Sequence, residues 1–290
     1  MNKPNFFIVG TPKAGTTSLY HYLEEHPEIF MSPIKETNYF SYAEINQQDL
    51  YYDVEHVSTI EEYLAQFAGV SNEKAIGEAS VSYLFYPSVP LKLKQFNPDA
   101  RIIMVLRNPV DRAFSHYLMD HRLGFVNLPL DKIVNEENRD KLTNLYYQQY
   151  ISLGYYYEQI KRYLDAFGSE QVKVFLYEDV VSNIDGVVSE IYSFLQVDDN
   201  YKPGTDQKHN VFLAPKNSLI GKLYTSKAFR TIARKLFSEK LQNAVKNRFF
   251  VKEKKPSLDQ DLKNTMHSLF HDDILKTADL LNKDLSHWLK

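Results

Sequence analysis

Asn5-Phe6-Phe7-Ile8-Val9-Gly10-Thr11-Pro12-Lys13-Ala14-Gly15-Thr16-Thr17-Ser18 is the stretch whose reading decides the fold. Asn5 to Val9 is almost wholly apolar and predicts a short buried strand. Gly and Pro then punctuate a loop. From Ser18 to His26, Leu19, Tyr22, Leu23 and His26 recur at helical spacing, and Pro27 ends the helix. Strand, glycine-rich turn and helix make the first unit of an α/β fold.

The pattern recurs outward. Lys74 to Gly77 predicts a short strand, followed by a helix through Pro90 to Phe96. Arg101-Ile102-Ile103-Met104-Val105-Leu106 is the clearest strand, apolar without alternation and so buried on both faces of a parallel sheet. Pro109 suits a first helical turn, and that helix is expected to run to about Arg122. Gly154 to Phe167 reads as helix, Val172 to Leu176 as strand and Val187 to Leu195 as helix. Strands alternating with helices predict a central parallel β-sheet flanked by helices, with ligands held at the carboxyl ends of the strands. Asp198 to Pro215 reads as a loop, and from about Leu219 only helical periodicity is present. The expected organisation is one domain over 1–290, with an α/β core over 1–200 and a loop and helical C-terminal part over 201–290.

Composition narrows the function classes. The 290 residues are 43% hydrophobic and 24% charged, those of a soluble globular protein with a sizeable core. The absence of cysteine excludes disulfide scaffolds, thiolate metal sites and cysteine nucleophiles. No apolar run near the start is long enough for a signal peptide or a membrane span. Met1 lies four residues before the first strand, which favours a cytoplasmic enzyme of bacterial type. The formal net charge of -3 hides an asymmetry. Between Lys216 and Lys255 twelve Lys and Arg face only Glu239 and Glu253, an excess of +10, so the remainder carries -13. That acidic remainder argues against general nucleic-acid binding.

The chemistry starts in the first loop. A turn between strand and helix N-terminus presents several backbone N–H groups and the positive end of a helix dipole. Gly10 and Gly15 permit the turn, Lys13 adds a full charge, and Thr16, Thr17 and Ser18 add hydroxyl donors, a set suited to phosphate. A Walker loop requires lysine after the second glycine. Thr16 stands there instead, and the lysine sits at position 13. No G-x-G-x-x-G occurs, so a dinucleotide fingerprint is absent. A second element, Leu106-Arg107-Asn108-Pro109-Val110-Asp111-Arg112-Ala113-Phe114-Ser115-His116-Tyr117, places Arg107 at the end of the central strand. A guanidinium there can grip phosphate oxygens bidentately. Ser115 follows about two turns into the helix, Arg112 reads as a local cap or acid partner, and His116 as a packing residue.

Pro12 to Ser18 resembles the 5′-phosphosulfate loop of the sulfotransferases that use 3′-phosphoadenosine 5′-phosphosulfate (PAPS), and Leu106 to Tyr117 resembles that family's 3′-phosphate element. Lys35-Glu36-Thr37-Asn38-Tyr39-Phe40 is similar to the Lys-Glu-x-x-x-Phe segment of carbohydrate-type and bacterial members. Gly77-Glu78-Ala79-Ser80-Val81-Ser82-Tyr83 is similar to their Gly-Glu-Ala-Ser-Pro-x-Tyr, with Val81 in place of the proline. Tyr177-Glu178-Asp179 and Asp284 to Leu289 match a later strand end and a common C-terminal ending. The likeness spans nearly the whole chain and implies a P-loop-NTPase-like sulfotransferase fold.

The resemblance also implies roles. Lys13, Ala14, Gly15, Thr16, Thr17 and Ser18 hold the 5′ end of PAPS, Arg107 and Ser115 the 3′-phosphate, and Tyr177 the adenine or the core beside it. Lys13 stabilises charge on the leaving phosphate during in-line transfer, and no metal is called for. Glu36 is the candidate general base, expected to be desolvated by Tyr39, Phe40 and Tyr42. Glu78, read as following a strand and pointing into the same cleft, is the runner-up. Ala79 stands where heparan-type members carry lysine, which disfavours a heparan-like polyanion as acceptor. The acceptor is then a hydroxyl or amine of a carbohydrate or small molecule. The basic 216–255 segment has three readings: a solvated helix face, a lid contributing Lys216 to the cofactor, or a surface for peripheral membrane contact. The competing function class is a P-loop small-molecule kinase or a non-catalytic nucleotide-binding protein of the same fold, and oligomeric state is unread.

Overall fold

Phe6–Gly10 forms β1 with all five residues buried, as a doubly covered strand requires. The computed structural model describes residues 2–52, 54, 56–135, 139–204, 213–215, 250–252 and 256–290. In chain order these hold β1, α1 (Thr16–Glu24), β2 (Ile29–Met31), α2 (Tyr42–Gln48), α3 (Ile60–Ala65), β3 (Ala75–Ala79), α4 (Val89–Phe96), β4 (Arg101–Leu106) and α5 (Pro109–Arg122). Then come α6 (Leu130–Asn135), α7 (Lys141–Tyr150), α8 (Tyr156–Phe167), β5 (Val172–Leu176), α9 (Tyr177–Ser182), α10 (Ile184–Leu195), β6 (Leu213–Pro215), β7 (Phe250–Lys252) and a helix over Gln260–Leu281, here α11.

Five strands form one parallel sheet in the order β2-β3-β1-β4-β5. The alternation within β1 sorts the core into two layers. Phe7 and Val9 join Ile102, Met104 and Leu106 on one face, under residues of α4, α5, α7, α8 and α11 such as Leu93, Ala113, Tyr150, Tyr163 and Phe270. Phe6 and Ile8 join Ile103 and Val105 on the other face, under Leu19 and Leu23 of α1 and Val188 and Ile191 of α10. The strand order reverses about β1, whose neighbours are β3 and β4. Its carboxyl end is therefore the switch point where such sheets hold ligands.

Two local expectations shift. α10 starts at Ile184 because the Asn183 side chain accepts from Gly186 N at 3.2 Å. β6 and β7 pair antiparallel inside segments read as loop and as helix. Each is three residues long, too short for any periodicity to register. Lys216 and the rest of the basic segment, apart from 250–252, lie outside the described residues.

Candidate active site

The loop from β1 to α1 is built for an anion. Thr11 N donates to the Val105 carbonyl at 2.9 Å, pinning the loop to β4. Lys13 and Gly15 adopt left-handed φ of 69° and 83°. Gly15 sits at the N-terminus of α1, which has neither a side-chain cap nor an acidic residue in its first turn. The dipole end and first-turn N–H groups are thus left to a ligand. Glycine suits this position because its positive φ strains other side chains. Ala14 and Thr16 are buried, Thr17 and Ser18 partly so.

Arg107 leaves β4 beside this loop. One guanidinium nitrogen donates to the Lys13 carbonyl at 2.9 Å, and the group lies 4.4 Å from the Tyr177 ring centroid. Its Nε is buried without a partner. Lys13, Gly15, Arg107 and Tyr177 therefore meet as expected. Ser115 lies on α5 four residues before Met119, whose Sδ is 3.3 Å from Lys13 Nζ. The helical repeat thus puts Ser115 on the flank of α5 that carries this contact. Arg112 pairs with no acid: it is fully buried and donates to the Gln149 and Tyr150 carbonyls at 3.3 and 2.5 Å, closing the end of α7.

The Arg107 loop is clamped by residues whose association was invisible in sequence. Tyr156 donates its hydroxyl to the Arg107 carbonyl at 2.8 Å, and Asn108 its amide to the Trp288 carbonyl at 3.3 Å. Trp288, fully buried, donates Nε1 to Glu178 at 3.1 Å. The Tyr177-Glu178-Asp179 and Asp284–Leu289 segments thus touch one another behind the phosphate loop.

A cavity of about 510 Å³ opens beside Lys13, with Pro12, Glu36, Tyr52, Phe85, His116 and Asp120 among its walls. Glu36 has φ 66° and its N–H donates to the Ala79 carbonyl at 2.8 Å. Its carboxylate pairs with Lys35 and accepts from Val81 N at 2.8 Å. The aromatics expected to desolvate it do otherwise. Tyr39 stacks on Tyr63 at 4.6 Å, Phe40 packs on Phe7 at 6.0 Å, and Tyr42 lies 4.4 Å from His56. Tyr52, Phe85 and Tyr86 supply the aromatic wall instead.

Glu78 is displaced from its expected position. β3 runs through Ala79, so Glu78 lies within the strand, is 0% exposed and does not line the cavity. Its carboxylate accepts from Thr37 at 2.8 Å, from Tyr63 at 3.1 Å and from Ser80. Burial pushes its pKa up to about 7 against the pull of these bonds. Sequence reasoning missed Asp120, a buried cavity residue one helical turn after His116. It accepts from Tyr51 at 2.7 Å and Tyr150 at 2.9 Å, and burial pushes its pKa up to about 6. Its i,i+4 spacing from His116 was the one available signal. Among the described residues no cluster able to hold a metal is found, and no helix is long and apolar enough to cross a membrane.

A parallel α/β sheet with an uncapped anion loop, a second cation at the next strand end and an adjoining cavity defines a group-transfer domain of P-loop-like architecture. The sulfotransferase domain family matches residues 3–278, and the chain belongs to that family. A sulfotransferase from Alicyclobacillus acidocaldarius superposes with TM-score 0.76 at 31% identity, covering 100% of both chains. Carbohydrate sulfotransferase 15 of Mus musculus is 26% identical over 67% of this chain and 44% of its own length. The membrane-associated sulfotransferase kil1 of Dictyostelium discoideum is 35% identical over 39% of this chain and 22% of its own. The chain thus spans less than half the length of these two relatives.

Proposed function

We propose that this domain transfers a sulfuryl group from PAPS to a hydroxyl or amine of a carbohydrate or small-molecule acceptor. One observation carries the reading: Lys13 Nζ lies 3.3 Å from Met119, which itself lines the cavity. The loop's cation therefore stands where the anion cradle meets the space for an acceptor.

The residues fit a nucleotide with phosphate at both ends. The uncapped start of α1 and the Thr16, Thr17 and Ser18 hydroxyls suit one phosphate. Arg107, whose buried Nε has no partner among the described residues, suits the other together with Ser115. Tyr177, already under the Arg107 guanidinium, offers a face for the base. PAPS, when bound, supplies the transferable sulfuryl group on a phosphate leaving group. Lys13 holds positive charge at the junction, and Glu36 at the cavity wall takes the acceptor's proton, oriented by Lys35 and Val81 N–H. Thr16 in the Walker lysine position argues against a kinase.

Incubation with sulfur-labelled PAPS and a panel of glycan, glycolipid, phenol and amine acceptors tests this. Transfer to at least one class is expected. No transfer to any class, by protein that binds the desulfated nucleotide, would contradict it.

A further inference from the structure

Besides Lys35, Glu36, Asn38, Ser82 and Gln149, the cavity carries a buried polar pair on one helix. Most of its wall is apolar, with Ile45, Leu50, Val54, Phe85, Phe125 and Leu153 among its residues. Against these, His116 and Asp120 project from successive turns of α5. His116 Nε2 lies 3.7 Å from Asp120 Oδ2, and both residues are more than nine-tenths buried. Oδ2 also takes the Tyr51 and Tyr150 hydroxyls, so the carboxylate is fixed through one oxygen while its other oxygen receives none of these bonds. No hydrogen bond closes on His116 Nδ1, although the Gln149 carbonyl lies near the ring. Nδ1 is shut off on the Gln149 side, so Nε2 and the second Asp120 oxygen are the groups a ligand in the cavity can engage.

We propose that His116 and Asp120 form an anchoring subsite that binds a second hydroxyl group of a small, apolar, non-anionic acceptor. The proposal rests on the sulfotransferase reading above and adds the acceptor's class. Burial and the nearby Arg112 and Lys13 charges hold the His116 imidazole well below its ordinary range, so it is neutral and offers a hydrogen bond rather than a charge. A hydroxyl can donate to the carboxylate and meet the ring nitrogen at once. Size agrees, because a cavity of about 510 Å³ is in the range that holds one small molecule. Charge agrees too. Both Glu36 and Asp120 present carboxylates to this space, and Lys35 is engaged by Glu36, so a sulfated or uronate-bearing chain would enter against like charge.

The test compares sulfuryl transfer from PAPS to 2-naphthol, to the 1,5-, 2,6- and 2,7-dihydroxynaphthalenes and to heparan sulfate, with thermal stabilisation by the desulfated nucleotide measured in parallel. For the wild type, kcat/KM for at least one diol is expected to exceed that for 2-naphthol about tenfold, the worth of one good hydrogen bond. In Asp120→Asn, which keeps an oxygen for Tyr51 and Tyr150, and in His116→Leu, that preference collapses towards one through KM. A loss of kcat shared equally by diol and 2-naphthol would make Asp120 part of the chemistry and overturn the anchor. So would transfer to heparan sulfate but to no naphthol, or transfer to none of them by protein that the nucleotide still stabilises. Absence of nucleotide stabilisation in the wild type would instead overturn the sulfotransferase reading, and the anchor with it.

Discussion

Lys13 is the residue on which the proposed transfer turns. It is held at a left-handed φ by the loop, its carbonyl is gripped by Arg107 and its amine lies against Met119. A cation placed in advance where charge develops costs no reorganisation during transfer. Lys13→Ala is therefore expected to lower kcat/KM by about 100-fold or more, the scale of losing one pre-positioned charge donor. The melting temperature should stay nearly unchanged, because no core contact is removed. Steady-state rates and a melting curve check both halves, and wild-type turnover by the variant would remove Lys13 from the mechanism. The positions of Lys13 and Arg107 were legible because they sit at fixed offsets from a glycine turn and a strand end, whereas Glu36 was marked only by the family resemblance of its segment. Asp120 was not, since its meaning comes from Tyr51 and Tyr150, distant in sequence.

Glu78 belongs to the scale of the element, where two residues of strand length change a role. Sequence placed the end of β3 at Gly77, but the strand continues to Ala79. The two added residues place Glu78 inside the sheet, paired with Phe7 of β1, rather than just past the strand's end. Glu78 is consequently a core carboxylate bonded to Thr37, Tyr63 and Ser80. Its folded pKa of about 7 lies above the unfolded value of 4.5, so its stabilising contribution is fully present below pH 4.5 and lost as pH rises through 7. The lost contribution is on the order of 3 kcal/mol. Glu78→Gln should therefore lose less thermal stability than the wild type between pH 5 and pH 8. Asp120, raised in the same direction, is present in both proteins and leaves the comparison intact. Parallel melting curves across that range would contradict the assignment. β4 and α5 were legible because burial on both faces leaves an unbroken apolar run and one buried face leaves a helical stripe, whereas the ten-residue α7 was not read. β2, β6 and β7 were not, being three residues each and defined by their partners.

At the scale of the whole molecule, the fold makes one site from two distant motifs. Flanking β1 with β3 and β4 brings the loop after the first strand against the residue after the fourth, and Arg107 bonds to Lys13 across 94 positions of sequence. The two cores on either side of the sheet hold that junction, while Trp288, Tyr156 and Asn108 brace it from behind. The chain's near-neutral charge is thus the sum of an acidic body, a local pair of cations at the sheet's switch point and a basic segment beyond Lys216. We propose that this pair reads a nucleotide phosphorylated at its 3′ and 5′ positions. Thermal unfolding with 3′-phosphoadenosine 5′-phosphate or with ATP and magnesium tests it most directly. At 100 times the dissociation constant the first ligand should add about 2.7 kcal/mol of stability, seen as a clear rise in melting temperature, while ATP with magnesium adds little. Stabilisation by ATP with magnesium and none by the 3′-phosphorylated nucleotide would contradict the account.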